Sequence, residues 1–277
     1  MGTLVVAAAP IGNSGDASDR LKEAISSATF VAAEDSRKFN RLCKDLGIEH
    51  RAKVISFFEG NEVERLAELE RALSEHDFVL LITDSGMPGV SDPGYRAINL
   101  ALETKFPLQV LPGASAVTTA LILSGLPTDR FAFEGFLPRT DLARDRALEE
   151  LAEEERTIIF FEAPHRVSAF LKSAERILGG TRRAAICREL TKTYEEVQRG
   201  TLSELALWSN SKEMLGEFTI VIQGFSKRDV AHSEDEIAGL VKRLEQAGIT
   251  RKEAISTVAK DLGVPKRTVF DIMVSHK

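Results

Sequence analysis

Five short apolar runs recur through the first 111 residues with a helix-length stretch between most of them, and this alternation constrains the fold more than any other feature. Residues 3–8, 30–33, 54–57, 78–83 and 108–111 are built mainly from Val, Ile, Leu, Phe and Ala, the signature of strands buried on both faces. One helical pattern begins near Ser18, another runs from Ser36 to a stop at Gly47. A third fills residues 61–75, where Val63, Leu66, Leu69 and Leu73 recur at helical spacing. Strand and helix in repetition predict an α/β domain over residues 1–111 with a mainly parallel sheet.

After Leu111, the sequence Pro112-Gly113-Ala114-Ser115 leads into an apolar helix that stops at Gly125. Strands are then expected at 131–136, 157–161, 184–187, 195–199 and 218–224, with helices at 141–153, 165–178 and 202–208. Short connections between the later strands favour a mixed or antiparallel sheet, so residues 112–228 read as an α+β domain. Residues 232–277 differ in kind. Ser233 with Glu236, and Thr250 with Glu253, are capping-box signatures, while Gly263 and Pro265 mark a helix stop and a fresh start. Three short helices are predicted, the last two at 252–262 and 265–274 with the spacing of a helix-turn-helix. A small packing module would have the same pattern.

Composition narrows the function classes. At 43% apolar and 28% charged residues the chain matches a soluble globular protein, and 277 residues allow two compact domains or one large one. Cys43 and Cys187 are far apart and in no metal-like spacing, so neither a disulfide framework nor a metal site is expected. The first 11 residues lack Lys and Arg and are interrupted by Pro10, unlike a signal peptide, and no run is long enough to span a membrane. A cytoplasmic protein is expected. The net charge of −6 argues against indiscriminate coating of nucleic acid, yet residues 242–277 carry eight basic and four acidic side chains, a local +4. Any polyanion contact should therefore be local.

Three loops at the predicted carboxyl ends of parallel strands are rich in Gly and Pro: residues 9–13, 84–94 and 112–115. Glycine admits close backbone approach and proline fixes the path, so three such loops on one sheet edge suit a ligand cleft. The dinucleotide fingerprint Gly-x-Gly-x-x-Gly is missing from the first loop, and so is a Walker A lysine loop, so hydride transfer and nucleotide hydrolysis lose support.

The ordered segments APIGN (9–13), AAEDSR (32–37), TDSGMPGVSDPGYR (83–96), LPGASA (111–116), SGLPTDRFAFEGFLPR (124–139), FFEAPHR (160–166), RELTKTYEEVQRGTL (188–202) and GEFTIVIQG (216–224) closely resemble the ribosomal RNA small-subunit methyltransferase I family. That family belongs to the tetrapyrrole-methylase-like methyltransferases. The resemblance implies two α/β domains with S-adenosylmethionine between them, a helical C-terminal extension and a homodimer. It also implies methyl transfer to the ribose of a decoding-region cytidine in 16S ribosomal RNA, with S-adenosylhomocysteine as product. Carried over by position, Pro10, Gly86, Met87, Val90, Ala114, Ser115, Phe161 and Phe218 are expected to line the cofactor site. Two other readings compete: a tetrapyrrole C-methyltransferase sharing the cleft, and a non-enzymatic nucleic-acid-binding regulator using the terminal helices.

A ribose hydroxyl is a poor nucleophile, so a carboxylate or histidine that takes its proton is wanted. Glu34, Asp35, Asp84, Asp92, His165 and Glu189 lie near predicted loop or strand ends. The cluster Glu34-Asp35-Ser36-Arg37 is favoured, with His165 as a further catalytic candidate, because an acid beside a guanidinium keeps its charge and can hold a ribose. Glu34 and Asp35 would equally serve to cap the helix from Ser36. Arg139, Arg144, Arg146, Arg166, Lys266 and Arg267 are candidates for RNA phosphate contact. Interleaved acids around the first three fit a solvated helix face as well.

Overall fold

The computed structural model describes residues 2–211, 213–226, 233–262 and 264–276. Strands β1 (Thr3–Ala7), β2 (Phe30–Ala33), β3 (Lys53–Ser56), β4 (Phe78–Ile82) and β5 (Leu108–Leu111) form one parallel sheet in the order β3-β2-β4-β1-β5. Successive residues of a strand face opposite sides, and here both sides are covered. Leu4, Val6, Phe30, Ala32, Val79 and Leu81 pack beneath α3 (Glu62–Glu75) and α4 (Tyr95–Glu103). Val5, Ala7, Val31, Ala33, Leu80 and Ile82 pack beneath α1 (Asp19–Ser27) and α2 (Ser36–Asp45). Double burial is why β1, β2 and β4 read as apolar runs without alternation; β5, expected to be buried as well, lies at the sheet edge with Leu108, Gln109 and Val110 exposed.

Strand order also locates the site. Connections from β1 run along the sheet one way and those from β4 the other, so right-handed crossovers send their helices to opposite faces. Because β1 and β4 are neighbours, the chain parts there and leaves a crevice at their carboxyl ends, where open α/β sheets bind ligands.

A second sheet comprises β6 (Phe131–Phe136), β7 (Thr157–Glu162), β8 (Arg183–Arg188), β9 (Glu196–Thr201) and β10 (Phe218–Ile222), in the order β6-β7-β10-β8-β9. Only β6 and β7 pair in parallel, so the sheet is mixed, as the short connections predict. Its outer face packs on α6 (Asp141–Glu150), α7 (Val167–Leu178) and α8 (Leu202–Asn210) around Leu148, Phe160 and Phe170. Thr201 and Glu204 close a full capping box at the start of α8. The rings of Phe160 and Phe170 meet edge to face at 5.2 Å, and both are fully buried. Phe160→Ala should therefore lower unfolding free energy by about 3–5 kcal/mol in urea titration.

The inner face carries Ile159, Cys187 and Val221 against α5 (Ala116–Ser124) and against Ile11 of the first loop. Helix α5 follows the last strand of the first sheet but packs on the second, which brings the two sheets' loops together. Both cysteines are buried free thiols, and burial pushes that of Cys187 up to about 12.

At the C-terminal end α9 (Glu234–Gln246), α10 (Arg251–Asp261) and α11 (Lys266–Ser275) pack on one another through Ile237, Val241, Val258, Val269 and Met273. Ser233 and Thr250 accept the expected N-cap bonds from the Glu236 and Glu253 N–H groups. The predicted turn at Gly263 and the stretch 227–232, which includes the boundary between the second domain and the tail, lie outside the described residues.

Candidate active site

Three loops leave β1, β4 and β5 side by side. The first two are tied together: the Ala9 N–H donates to the Gly86 carbonyl at 2.8 Å, and the Gly86 N–H returns a bond to Ala9 at 3.1 Å. Gly86 has φ +67°, a left-handed conformation that glycine adopts without steric cost, and a Cβ there would meet nothing closer than Ile11 at 3.8 Å. The third loop comes equally close to β1, since a Cβ on Gly113 would lie 2.9 Å from that of Ala8. Within the second loop Gly89 donates to the Pro93 carbonyl at 3.1 Å and Val90 to that of Met87 at 3.2 Å. Its exit is anchored by the buried carboxylate of Glu62, which accepts the Gly94 N–H at 2.7 Å.

Segments of the second sheet and its connections approach these loops. The Asn13 N–H donates to Thr191 Oγ1 at 3.1 Å, and a Cβ on Gly12 would fall 2.9 Å from the Leu190 carbonyl. Ser91, itself at φ +60°, abuts Gly135 of β6.

Of the expected cofactor residues, Pro10, Gly86, Met87 and Val90 lie on the first two loops at the crevice, with Val90 exposed and Met87 packed partly on the core beneath α4. Ala114 and Ser115 lead into α5, whose first turn receives no side-chain cap from Ser115. Phe161 is half-buried on the inner face, its ring 4.8 Å from that of Phe133 and 5.7 Å from that of Phe136. Phe218 needs correction. Its side chain is buried in the outer core, because it pairs with Glu162 rather than Phe161, so only its main chain is near the cleft. Thr219, paired with Phe161, shares the inner face; alternation along β10 was the available signal.

The acid cluster is interlocked. Glu34 accepts the Asp84 N–H at 3.0 Å, the Asp35 N–H donates to Asp84 at 3.2 Å, and Lys38 Nζ binds Asp84 at 2.8 Å. Burial, opposed by the Asp84 N–H, raises the pKa of Glu34. Asp35 caps α2 through the Arg37 N–H and grips the Arg37 guanidinium at 2.7 Å, and these bonds hold its carboxyl well below the ordinary range. Capping and ion pairing thus occupy Asp35 and Arg37. A residue outside the favoured cluster, Asp92, sits partly buried near Glu34, Asp84 and Glu217, and burial followed by these like charges pushes its pKa to about 7. It faces a cavity of about 600 Å³ also lined by Glu34, Phe58, Tyr95 and Phe136.

His165 is exposed on a single 3-10 turn, Pro164–Arg166. Among the basic candidates, Arg139, Arg146, Lys266 and Arg267 are exposed, whereas two others need correction. Arg144 is only 4% exposed between α6 and α7, bonded to Ser173 and Asp141, because the helix–helix contact rather than solvent takes its guanidinium. Arg166 lies 3.1 Å from the buried carboxylate of Glu162 and donates to the Leu137 and Pro138 carbonyls at 2.7 and 3.0 Å. It therefore pins the loop after β6. Among the described residues no group of His, Cys, Asp and Glu could hold a metal ion.

Comparison with known proteins extends this picture. Residues 3–206 match the tetrapyrrole (corrin/porphyrin) methylases. The chain is 44% identical over 280 aligned residues to "Ribosomal RNA small subunit methyltransferase I" of Mycobacterium tuberculosis, covering 100% of this chain and 96% of that one. It belongs to the ribosomal RNA small subunit methyltransferase I family. A second member, from Halalkalibacterium halodurans, is 40% identical over 98% of this chain and 94% of its own. The solved uroporphyrin-III C-methyltransferase of Thermus thermophilus, complexed with S-adenosylhomocysteine, superposes with TM-score 0.56 at 19% identity, covering 80% of this chain and 97% of that one. That likeness concerns the fold. Methyltransferase I relatives instead run through the terminal helices.

Proposed function

We propose that the chain transfers a methyl group from S-adenosylmethionine to the ribose 2′ oxygen of a decoding-region cytidine in 16S ribosomal RNA. The observation that carries this reading is the length of the match: similarity to the methyltransferase I relatives covers 100% of the chain, tail included. Residues beyond 206 lie outside the tetrapyrrole-methylase match. A tetrapyrrole reading is further disfavoured by the cavity, because Glu34, Glu59, Glu62 and Asp92 line it and would repel a macrocycle edged with carboxylates. A nucleotide can insert its neutral ribose and base while its phosphates stay at the rim.

The three loops fit the cofactor. Gly86 leaves open space at the crevice, and the uncapped start of α5 presents N–H groups and a positive helix end to a carboxylate. Pro10, Gly86, Met87, Val90, Ala114, Ser115 and Phe161 would hold it, with the main chain of Phe218 and with Thr219 nearby. When bound, it supplies a methyl carbon made electrophilic by the adjacent sulfonium. The protein's part is to align the acceptor oxygen and to keep competing water out.

Arg139 and Arg146, on the second domain, and Lys266 and Arg267, on the tail, would meet phosphate. Replacing Arg139 and Arg146 with Gln should weaken binding to the small subunit. The slope of log affinity against log salt should also become shallower by roughly 1 for each phosphate no longer neutralised. Unchanged slopes would mark the two as a solvated face. The chain would act in the cytoplasm as a homodimer. Leu108 and Val110 on edge strand β5, with Ile122 on α5, are exposed apolar side chains that suit a second copy.

The test supplies labelled S-adenosylmethionine with small subunits from cells lacking the enzyme, and in parallel with a tetrapyrrole acceptor. Label should enter the RNA only; label in the tetrapyrrole alone would overturn the proposal.

A further inference from the structure

Between the second loop and β6, Phe58, Tyr95 and Phe136 line the cavity, and these residues are 46%, 70% and 54% exposed. Three large aromatic side chains are seldom left exposed around one hollow without an occupant. The same cavity is also lined by carboxylates, among them Glu34 and Asp92, which come from the loops after β2 and β4. A lining of aromatic rings and hydrogen-bond-accepting carboxylates matches a single unstacked nucleoside: rings stack on the base, and carboxylates receive hydroxyl or amino protons. At about 600 Å³ the space is ample for one.

Position links this hollow to the methyl donor's side of the crevice. Phe136, on its wall, stands 5.7 Å ring to ring from Phe161. Gly89, also on its wall, adjoins Val90 in the second loop.

We infer that this cavity is the acceptor pocket, that it takes the target nucleoside swung out of its RNA stack, and that Asp92 is the carboxylate that receives the ribose hydroxyl proton. This rests on the methyltransferase reading above. Asp92 suits the role better than its neighbours. Glu34 commits an oxygen to the Asp84 N–H, Asp84 holds Lys38 and the Asp35 N–H, and Asp35 is held by Arg37. Among the described residues Asp92 takes part in no hydrogen bond or ion pair. The charged groups around it are Glu34, Asp84 and Glu217, with Glu59 and Glu62 on the same cavity; Lys38 and Lys192 are bound to Asp84 and Glu217. Partly buried and then crowded by like charges, Asp92 accepts a proton near pH 7, where an acid as strong as Asp35 would not.

In the step itself, the hydroxyl oxygen forms its bond to the methyl carbon as the carbon–sulfur bond breaks and its electron pair goes to sulfur. The hydroxyl proton passes to Asp92. Alcohol, carboxylate and sulfonium become ether, carboxylic acid and thioether, and the carboxylic acid then loses its proton to solvent.

The experiment compares wild type, Asp92→Asn and Phe58→Ala. It reads S-adenosylmethionine affinity by calorimetry, small-subunit affinity by filter binding, and single-turnover methyl transfer from pH 5.5 to 9. The wild-type rate should rise as Asp92 deprotonates through about 7 and then level off. Asp92→Asn should bind both partners normally, lose at least 100-fold in rate, and lose that pH dependence. Phe58→Ala should keep cofactor affinity and the pH profile while weakening subunit binding about tenfold. A wild type that methylates subunits beside an Asp92→Asn variant of equal rate and profile overturns the assignment of Asp92 alone. Unaltered subunit binding by Phe58→Ala overturns the pocket. If wild type methylates no subunit RNA, the functional reading fails and takes the inference with it.

Discussion

Gly86→Val should weaken S-adenosylmethionine binding by about 100-fold, read by calorimetry. At φ +67° a β-branched side chain is strained by about 1–3 kcal/mol, and relieving that strain would break the paired bonds with Ala9 that join the first two loops. The added methyls would also occupy space at the crevice. Gly47 provides the control. It has the same φ of +67° with nothing within 4 Å of a Cβ, but it follows α2. Gly47→Val should cost comparable stability and leave cofactor affinity unchanged. Equal losses of affinity in both variants would mean that Gly86 acts through general stability, not through the site.

Arg166→Ala should destabilise the fold by about 3 kcal/mol, because it leaves the carboxylate of Glu162 buried without its cation and frees the two carbonyls after β6. Burial already raises the pKa of Glu162 with Arg166 present, so much of the loss should be recovered by Glu162→Gln in the double variant. Exposed Arg139, by contrast, should change stability by less than about 0.5 kcal/mol on substitution. Denaturant titration separates these outcomes. A wild-type-like midpoint for Arg166→Ala would return that residue to the set of free RNA-contact candidates.

The fold was legible where burial acts on whole segments. Strands covered on both faces must be apolar throughout, so β1, β2 and β4 stand out in the sequence, and Ser18, Ser233 and Thr250 announce helix starts through local bonds. Side-chain fate inside one element was less legible. Arg144 and Arg166 look like surface cations, since nothing local reveals that Ser173 or the carboxylate of Glu162 waits beneath them. Phe218 and Thr219 differ only in strand parity, which requires the pairing with β7 to be known.

The acid site divides along the same line. Asp35 beside Arg37 can be read as an ion pair from sequence, and so can its alternative role as a cap; the structure has it doing both at once. Asp92 gained its distinction only in three dimensions, because Glu34, Asp84 and Glu217 come from three separate elements to surround it. Phe58, Tyr95 and Phe136 likewise converge from positions that share no motif.

The most direct test of ribose methylation is the identity of the methylated atom. After incubation of small subunits with labelled S-adenosylmethionine, the 16S RNA is digested to nucleosides and to alkali-resistant dinucleotides, and the label is located in each. Label is expected in a 2′-O-methylated cytidine within a dinucleotide that resists alkali. Label on a base, with alkali cleaving the chain at that nucleotide, would contradict ribose methylation.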